Sequence, residues 1–334
     1  MPVGVDIFSG AGGLSLGAEM AGIDVRFAVE RDESAAETYR YNHPDTVMLC
    51  DDIHNINPLE YLNENDDVFI VFGGPPCQGF SNANRQKNTA ISQNNMLVRQ
   101  YIRAILELNP KAFVMENVSM LRSEVHRFYM EKADEETIVR CGIPVKETPM
   151  HLLDAEFMFD GAANLVKNRD QILTYLWPED DYAALNVIYK AAKNPSKMKK
   201  ALEKHQKKLQ RLADEYTNLS EENYIFNEAK RSFCAIVDYY AGKLDIGGIK
   251  SIIEPSIMIQ RMLSKAKEIL DNNIVVDEYS VEDGLSARIR SFAVYDYLRG
   301  ILEAPENGYV INSDVLCAAD YGAPQKRMRF VVVG

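Results

Sequence analysis

The chain has 334 residues, 46% of them hydrophobic, which is ample for a large core and exceeds the usual size of one domain. A formal net charge of −12 disfavours non-specific binding to a polyanion, so any surface for nucleic acid must be locally basic or supplied by another chain. No apolar run approaches a bilayer span, the amino terminus lacks a signal core, and five scattered cysteines argue against a disulfide framework or a zinc site; a cytoplasmic protein without a metal centre is expected.

In chain order, Val3 to Phe8 reads as a first strand that passes into the glycine-rich turn Ser9-Gly10-Ala11-Gly12-Gly13 and a helix through Ala18 and Met20. Such a turn lets a ligand approach the backbone, and it is equally compatible with a purely structural tight turn. A second strand, Val25 to Val29, ends in Glu30, placed about twenty residues after the turn to accept hydrogen bonds from ribose hydroxyls. A helix is predicted from Arg31 to Tyr41. The third strand, Thr46 to Cys50, ends in Asp51-Asp52-Ile53, where Asp52 suits the amino group of an adenine and Ile53 one of its faces. The fourth, Asp67 to Phe72, stops at Gly73-Gly74-Pro75-Pro76-Cys77, because proline cannot donate to a ladder. That stiff turn presents the Cys77 thiol at the carboxyl end of a strand, although an isolated cysteine there also fits a small packing residue. Asn82 to Asn95 reads as a loop of the kind that closes over substrates. A helix from Met96 to Leu108 and a fifth strand, Ala112 to Met115, then deliver Glu116 at a neighbouring strand end. A thiol and a carboxyl side by side read as a nucleophile with a proton donor.

Phe8-Ser9-Gly10-Ala11-Gly12-Gly13, Glu30, Asp52-Ile53, Pro75-Pro76-Cys77-Gln78, Glu116-Asn117-Val118 and Gln325-Lys326-Arg327-Met328-Arg329 resemble, in order, the signature motifs of the DNA cytosine-5 methyltransferases. The resemblance implies an α/β fold, a Rossmann-like sheet binding S-adenosylmethionine, and a target cytosine flipped out of DNA. It implies Cys77 as nucleophile toward ring carbon 6. Glu116 would bond ring nitrogen 3 and the exocyclic amine, and Arg329, with Arg327 supporting, the cytosine carbonyl oxygen. For the cofactor it implies Phe8, Gly10, Gly12, Leu14, Glu30, Asp52 and Ile53, with Pro76 and Leu97 closing the pocket. No metal is implied.

Two departures from the family pattern shape the remaining expectations. Residues 1–122 and 292–334 carry the motifs, whereas residues 123–291 read as a mainly helical insertion. In it Met198, Leu202, His205, Leu209, Leu212, Tyr216 and Leu219 recur at spacings of four and three, a heptad seam predicting a helical hairpin or short coiled coil. His205 there reads as a packing residue. Lys193, Lys197, Lys199, Lys200, Lys204, Lys207, Lys208 and Arg211 form a basic run that is either a solvated face or a surface for DNA or a partner. Segments Asp160 to Trp177 and Ile252 to Asn272 also read as helices. The second departure is that the family's target-recognition region and last two motifs are not found after Arg329. Recognition taken over by the insertion, a second polypeptide that supplies these parts, and truncation of a longer gene product are the three readings, and the expectation is the second, a catalytic subunit acting with another chain. RNA cytosine methylation and a cofactor-binding scaffold without activity are the alternatives, and no membrane partner is expected.

Overall fold

Five consecutive buried residues, Val3–Ile7, form the first strand (β1), in which the β-branched Val3, Val5 and Ile7 suit a strand covered on both faces and Asp6 is a buried acid. The computed structural model describes residues 1–63, 66–76, 95–122, 127–218 and 223–334. After β1 come helix α1 (Gly13–Met20), β2 (Asp24–Glu30), α2 (Glu33–Asn42), β3 (Val47–Cys50), β4 (Val68–Gly73), α3 (Asn95–Leu108) and β5 (Ala112–Val118). Then follow β6 (Arg127–Tyr129), α4 (Glu135–Arg140), β7 (Val145–Leu153), α5 (Ala162–Leu165), α6 (Arg169–Tyr175) and α7 (Glu179–Ala191). Three long helices, α8 (Pro195–Thr217), α9 (Tyr224–Tyr240) and α10 (Ile246–Asp271), precede β8 (Val276–Ser280) and β9 (Leu285–Ala293). The chain closes with α11 (Val294–Leu302), β10 (Asn312–Cys317) and β11 (Met328–Val333). Among the described residues it divides into two compact units, Met1–Lys146 with Ser291–Gly334, and Glu147–Arg290.

The first unit is α/β. Its seven-stranded sheet has the order β10-β11-β5-β4-β1-β2-β3. The five strands from β5 to β3 are parallel, and β11 joins β5 antiparallel with β10 antiparallel outside it. Strand order reverses between β1 and β4, so the crevice at their carboxyl ends is a topological switch point, where open α/β sheets bind ligands. Helix α3 is pinned to the sheet. The buried Tyr101 hydroxyl donates to the Val114 carbonyl at 2.8 Å, and Arg99 forks onto Asp134 at 2.7 and 2.9 Å with its guanidinium 4.6 Å from the Phe128 ring.

The second unit is built on helices. Met198, Leu202, Leu209 and Leu212 of the heptad seam are fully buried, while His205 and Tyr216 are half-buried and Leu219 lies outside the described residues. The seam packs into one apolar cluster with residues of α7, α9 and α10, so the expected hairpin is part of a four-helix arrangement. Tyr216 stacks on Phe233 at 4.8 Å, and Trp177 lies 5.4 Å from the same ring. Gln260, only 2% exposed, accepts from the Trp177 amide at 2.8 Å and donates to the Tyr175 carbonyl at 2.9 Å, satisfying the chain where it enters the bundle. The expected helix from Asp160 to Trp177 is instead two: α5 ends at Leu165, and Asn168 caps α6 by accepting from the Gln171 amide. The Ile252 to Asn272 helix starts earlier, at Ile246, capped by Asp245.

Candidate active site

The carboxyl ends of β1 to β4 meet at one cavity of about 490 Å³, a size suited to a nucleoside-sized ligand. It is lined by Phe8, Val29, Glu30, Arg31, Asp32, Glu33, Asp51, Asp52, Ile53, Gly74, Pro76 and Leu97. Close approach of β4 to β1 is what makes the crevice: a Cβ at Gly73 would sit 1.9 Å from the Ile7 carbonyl oxygen. Phe8, the first residue beyond β1, has φ +65, a left-handed conformation that costs a non-glycine residue on the order of 1–2 kcal/mol. It is held there by amides, since both Phe8 and Ser9 N–H donate to the Val29 carbonyl at 3.0 and 3.1 Å.

Glu30 is fixed by the main chain on both sides. One oxygen accepts from the Gly10 amide at 3.0 Å and the other from the Asp32 amide at 2.8 Å, so the acid at the end of β2 locks the glycine turn against the start of α2. Asp52 caps a short helical turn. The His54 amide donates to it at 3.0 Å and the His54 ring lies 2.6 Å away, which holds the Asp52 carboxyl below its ordinary range. Ile53 is 2% exposed, and its carbonyl accepts from Arg103 of α3 at 2.7 Å, tying the loop after β3 to the helix that supplies Leu97.

Of the residues expected for a cofactor, Phe8, Glu30, Asp52, Ile53, Pro76 and Leu97 thus share this cavity, and Gly10 touches it through Glu30. Gly12 and Leu14 do not line it. Gly12, at φ +93, faces α2 instead: its carbonyl lies 3.0 Å from His43 Nε2, and a Cβ would come within 2.3 Å of that atom. Leu14 stands in the first turn of α1, 37% exposed. Sequence reasoning missed Val29, Arg31, Asp32, Glu33, Asp51 and Gly74 as lining residues; among the charged ones, Arg31 adjoins Glu30 and Asp51 adjoins Asp52, whereas Asp32 and Glu33 adjoin no residue it named for the site. Glu30, Asp32, Glu33, Asp51 and Asp52 give the cavity five carboxylates against the one guanidinium of Arg31.

Beneath the turn, Asp6 is buried in β1. Its Oδ2 accepts from the Ser15 hydroxyl at 2.6 Å, that hydroxyl lies 2.7 Å from the Tyr39 hydroxyl, and Oδ1 has no hydrogen-bond partner. Burial, reinforced by the nearby Glu30 charge, pushes the Asp6 carboxyl up to about 7.

Cys77 lies outside the described residues, as does the expected loop from Asn82; the described chain reaches Pro76. The neighbouring strand end is well defined. Asn117, buried, donates from Nδ2 to the Pro75 carbonyl at 2.8 Å, anchoring the double-proline turn to β5. Glu116 pairs with Arg329 at 2.5 Å, a contact made possible because β11 sets Val331 opposite Glu116 and Arg329 opposite Val118. The other Glu116 oxygen faces Gly74, where a Cβ would sit 3.2 Å from it. Arg327 is exposed just before β11, with no side-chain partner among the described residues.

Residues 3–233 match the profile of the family described as C-5 cytosine-specific DNA methylase. The chain is similar to the Type II methyltransferase M.XorII of Xanthomonas oryzae pv. oryzae, 38% identical over 138 residues that make up 40% of this chain and 32% of the relative. It is similar also to Type II methyltransferase M1.HphI of Haemophilus parahaemolyticus, 42% identical over 35% of this chain and 32% of the relative. A third relative is Type II methyltransferase M.AquIA of a Picosynechococcus species, 42% identical over 34% of this chain and 47% of the relative. The match thus spans between about a third and a half of the length of these relatives. With its profile match running through most of the chain and its motifs on the strands of a mainly parallel sheet, this chain belongs to the C-5 cytosine-specific DNA methylase family.

Proposed function

We propose that this chain methylates carbon 5 of cytosine in DNA with S-adenosylmethionine as donor. The observation that carries the reading is the cavity at the switch point, where an acidic wall and apolar plates coincide. The donor set fits the group: ribose hydroxyls and an exocyclic amine need acceptors, which Glu30 and Asp52 offer, and an adenine needs apolar faces, which Ile53, Phe8 and Leu97 offer. Carboxylates also favour a cationic ligand over an anionic one. When bound, S-adenosylmethionine supplies an electrophilic methyl group on a sulfonium.

The remaining chemistry is assigned to the chain's own residues. Addition of the Cys77 thiolate to ring carbon 6 makes carbon 5 an enamine carbon, nucleophilic enough for methylation. Glu116 bonds ring nitrogen 3 and the exocyclic amine, countering the charge that builds up as sulfur adds. Arg329 orients Glu116 through their ion pair and reaches the cytosine carbonyl oxygen, with Arg327 beside it. Loss of the carbon 5 proton then restores the ring and releases the thiolate. Target choice is assigned to a second polypeptide, a reading supported by the net charge of −12. The test is transfer of labelled methyl to duplex DNA and to transfer RNA, by the chain alone and with proteins co-purified from its host. Cys77→Ala should abolish transfer in every arm. Retained transfer removes Cys77 as nucleophile, and transfer to RNA alone overturns the DNA substrate.

A further inference from the structure

Helix α8 segregates its charges as well as its apolar residues. Met198, Leu202, Leu209, Leu212 and Ala213 face the bundle. Lys197, Lys200, Lys204 and Lys207, spaced three, four and three apart, fall within an arc of roughly 80° on the opposite side and span about 15 Å of axis. All four are exposed. The other cations of the run are accounted for differently. Lys208 donates to the Asp180 carbonyl and lies 3.6 Å from Asp181, and Arg211 lies 3.7 Å from Asp181 and 3.5 Å from Glu215. Lys199 points about 160° away from Lys197 around the axis, hence off the arc. Lys197, Lys200, Lys204 and Lys207 form no ion pair with another described residue.

A solvated helix face normally mixes signs at spacings of three and four, because opposite pairs there are stabilising and like pairs repel. Here each step along the arc juxtaposes two ammonium groups, with the exposed Glu203, three residues after Lys200 and four before Lys207, as the one acid at its edge, in a chain that carries an excess of twelve negative charges overall. A polyanion relieves that repulsion. One strand of a DNA duplex offers a phosphate every 3.4 Å of axis, so about 15 Å of helix passes four or five of them. We propose that this lysine stripe of α8 binds the phosphate backbone of duplex DNA without reading its sequence, and so holds the substrate to a chain that is otherwise acidic. The proposal rests on DNA being the substrate of the methyl transfer proposed above.

Binding of the full-length chain to a fluorescent duplex is to be measured between 50 and 200 mM salt. Compared are wild type, a stripe variant (Lys197→Gln, Lys200→Gln, Lys204→Gln, Lys207→Gln), and a control that removes equal charge elsewhere (Lys190→Gln, Lys193→Gln, Lys199→Gln, Lys230→Gln). Each phosphate contact contributes roughly 0.9 to the slope of log K against log salt, so the stripe variant should lose about 3 to 4 of slope and the control less than about 1. Circular dichroism should show equal helicity in all three, since every substituted lysine is exposed. Equal slopes for the two variants, or a wild type that does not bind the duplex, overturn the proposal; so does a slope loss seen only with an RNA hairpin. Methyl transfer by the same samples separates the two readings. Methylation with unchanged slopes sinks the stripe alone, whereas a stripe-dependent slope without methyl transfer sinks the enzymatic reading alone.

Discussion

Asp6→Asn should flatten the pH dependence of unfolding of the α/β unit. Asp6 is wholly buried in β1, one oxygen accepts a single hydroxyl, and the other has no donor, so a negative charge there is poorly solvated. Its carboxyl is pushed from an ordinary 3.8 up to about 7. In the unfolded chain the proton leaves near 3.8 while the folded chain still holds it. The native state therefore binds more protons over that window, and stability falls as pH rises from about 4 to about 7, then levels off. At about 1.4 kcal/mol per unit, the whole window is worth on the order of 4 kcal/mol, and the part between pH 5 and pH 8 on the order of 3 kcal/mol. Asparagine keeps an oxygen for the Ser15 hydroxyl and cannot titrate. Urea unfolding of both proteins at pH 5, 6, 7 and 8 should show wild type losing 2–3 kcal/mol relative to the variant across that range, a rough figure set by the same linkage. Any fixed cost of the substitution shifts one curve without changing its slope. Parallel curves for the two proteins would refute the reasoning.

Gly12→Ala should destabilise the α/β unit by about 2–4 kcal/mol in thermal unfolding, because it combines a left-handed φ with a Cβ driven into the His43 ring. Calorimetric titration with S-adenosylmethionine should find Glu30→Ala weakened by more than about tenfold, since the variant loses an acceptor in the cavity and frees two amides that shape it. Arg329→Lys should leave that affinity within about twofold and lower methyl transfer by at least about tenfold. Lysine cannot reproduce the planar guanidinium that pairs with Glu116.

The strand-end residues were legible because punctuation and period agree. Apolar runs end at glycine, acid or proline, and in a parallel sheet those ends converge on one edge, which is how Phe8, Glu30, Asp52 and Pro76 come to line the same cavity. What escaped was whatever depends on distant partners. Gly12 reads as a ligand-facing glycine until His43, 31 residues on, is seen to occupy the space of its missing side chain. Asp6, Ser15 and Tyr39 are unremarkable in sequence and become a buried network only when α1 and α2 pack on β1. Arg31, Asp32 and Glu33 were absorbed into a predicted helix from Arg31, whereas Asp32 is its N-cap and leaves all three at the cavity. The heptad seam of α8 announced a buried face but not the number of helices covering it.

The distribution of charge is compatible with the two ligands of opposite sign proposed above. Glu30, Asp32, Glu33, Asp51 and Asp52 gather at the switch point, where a cationic methyl donor is attracted and a phosphate backbone is repelled. Screening at physiological salt confines such fields to about 8 Å, so an acidic cavity and a basic helix face act as independent surfaces wherever they are separated by more than that. On the proposal above, the lysines of α8 need not overcome the charge of the whole chain; they need only dominate within one Debye length of a bound phosphate. A net charge of −12 therefore limits indiscriminate binding without forbidding a local contact, and it makes that contact depend on a small number of named side chains.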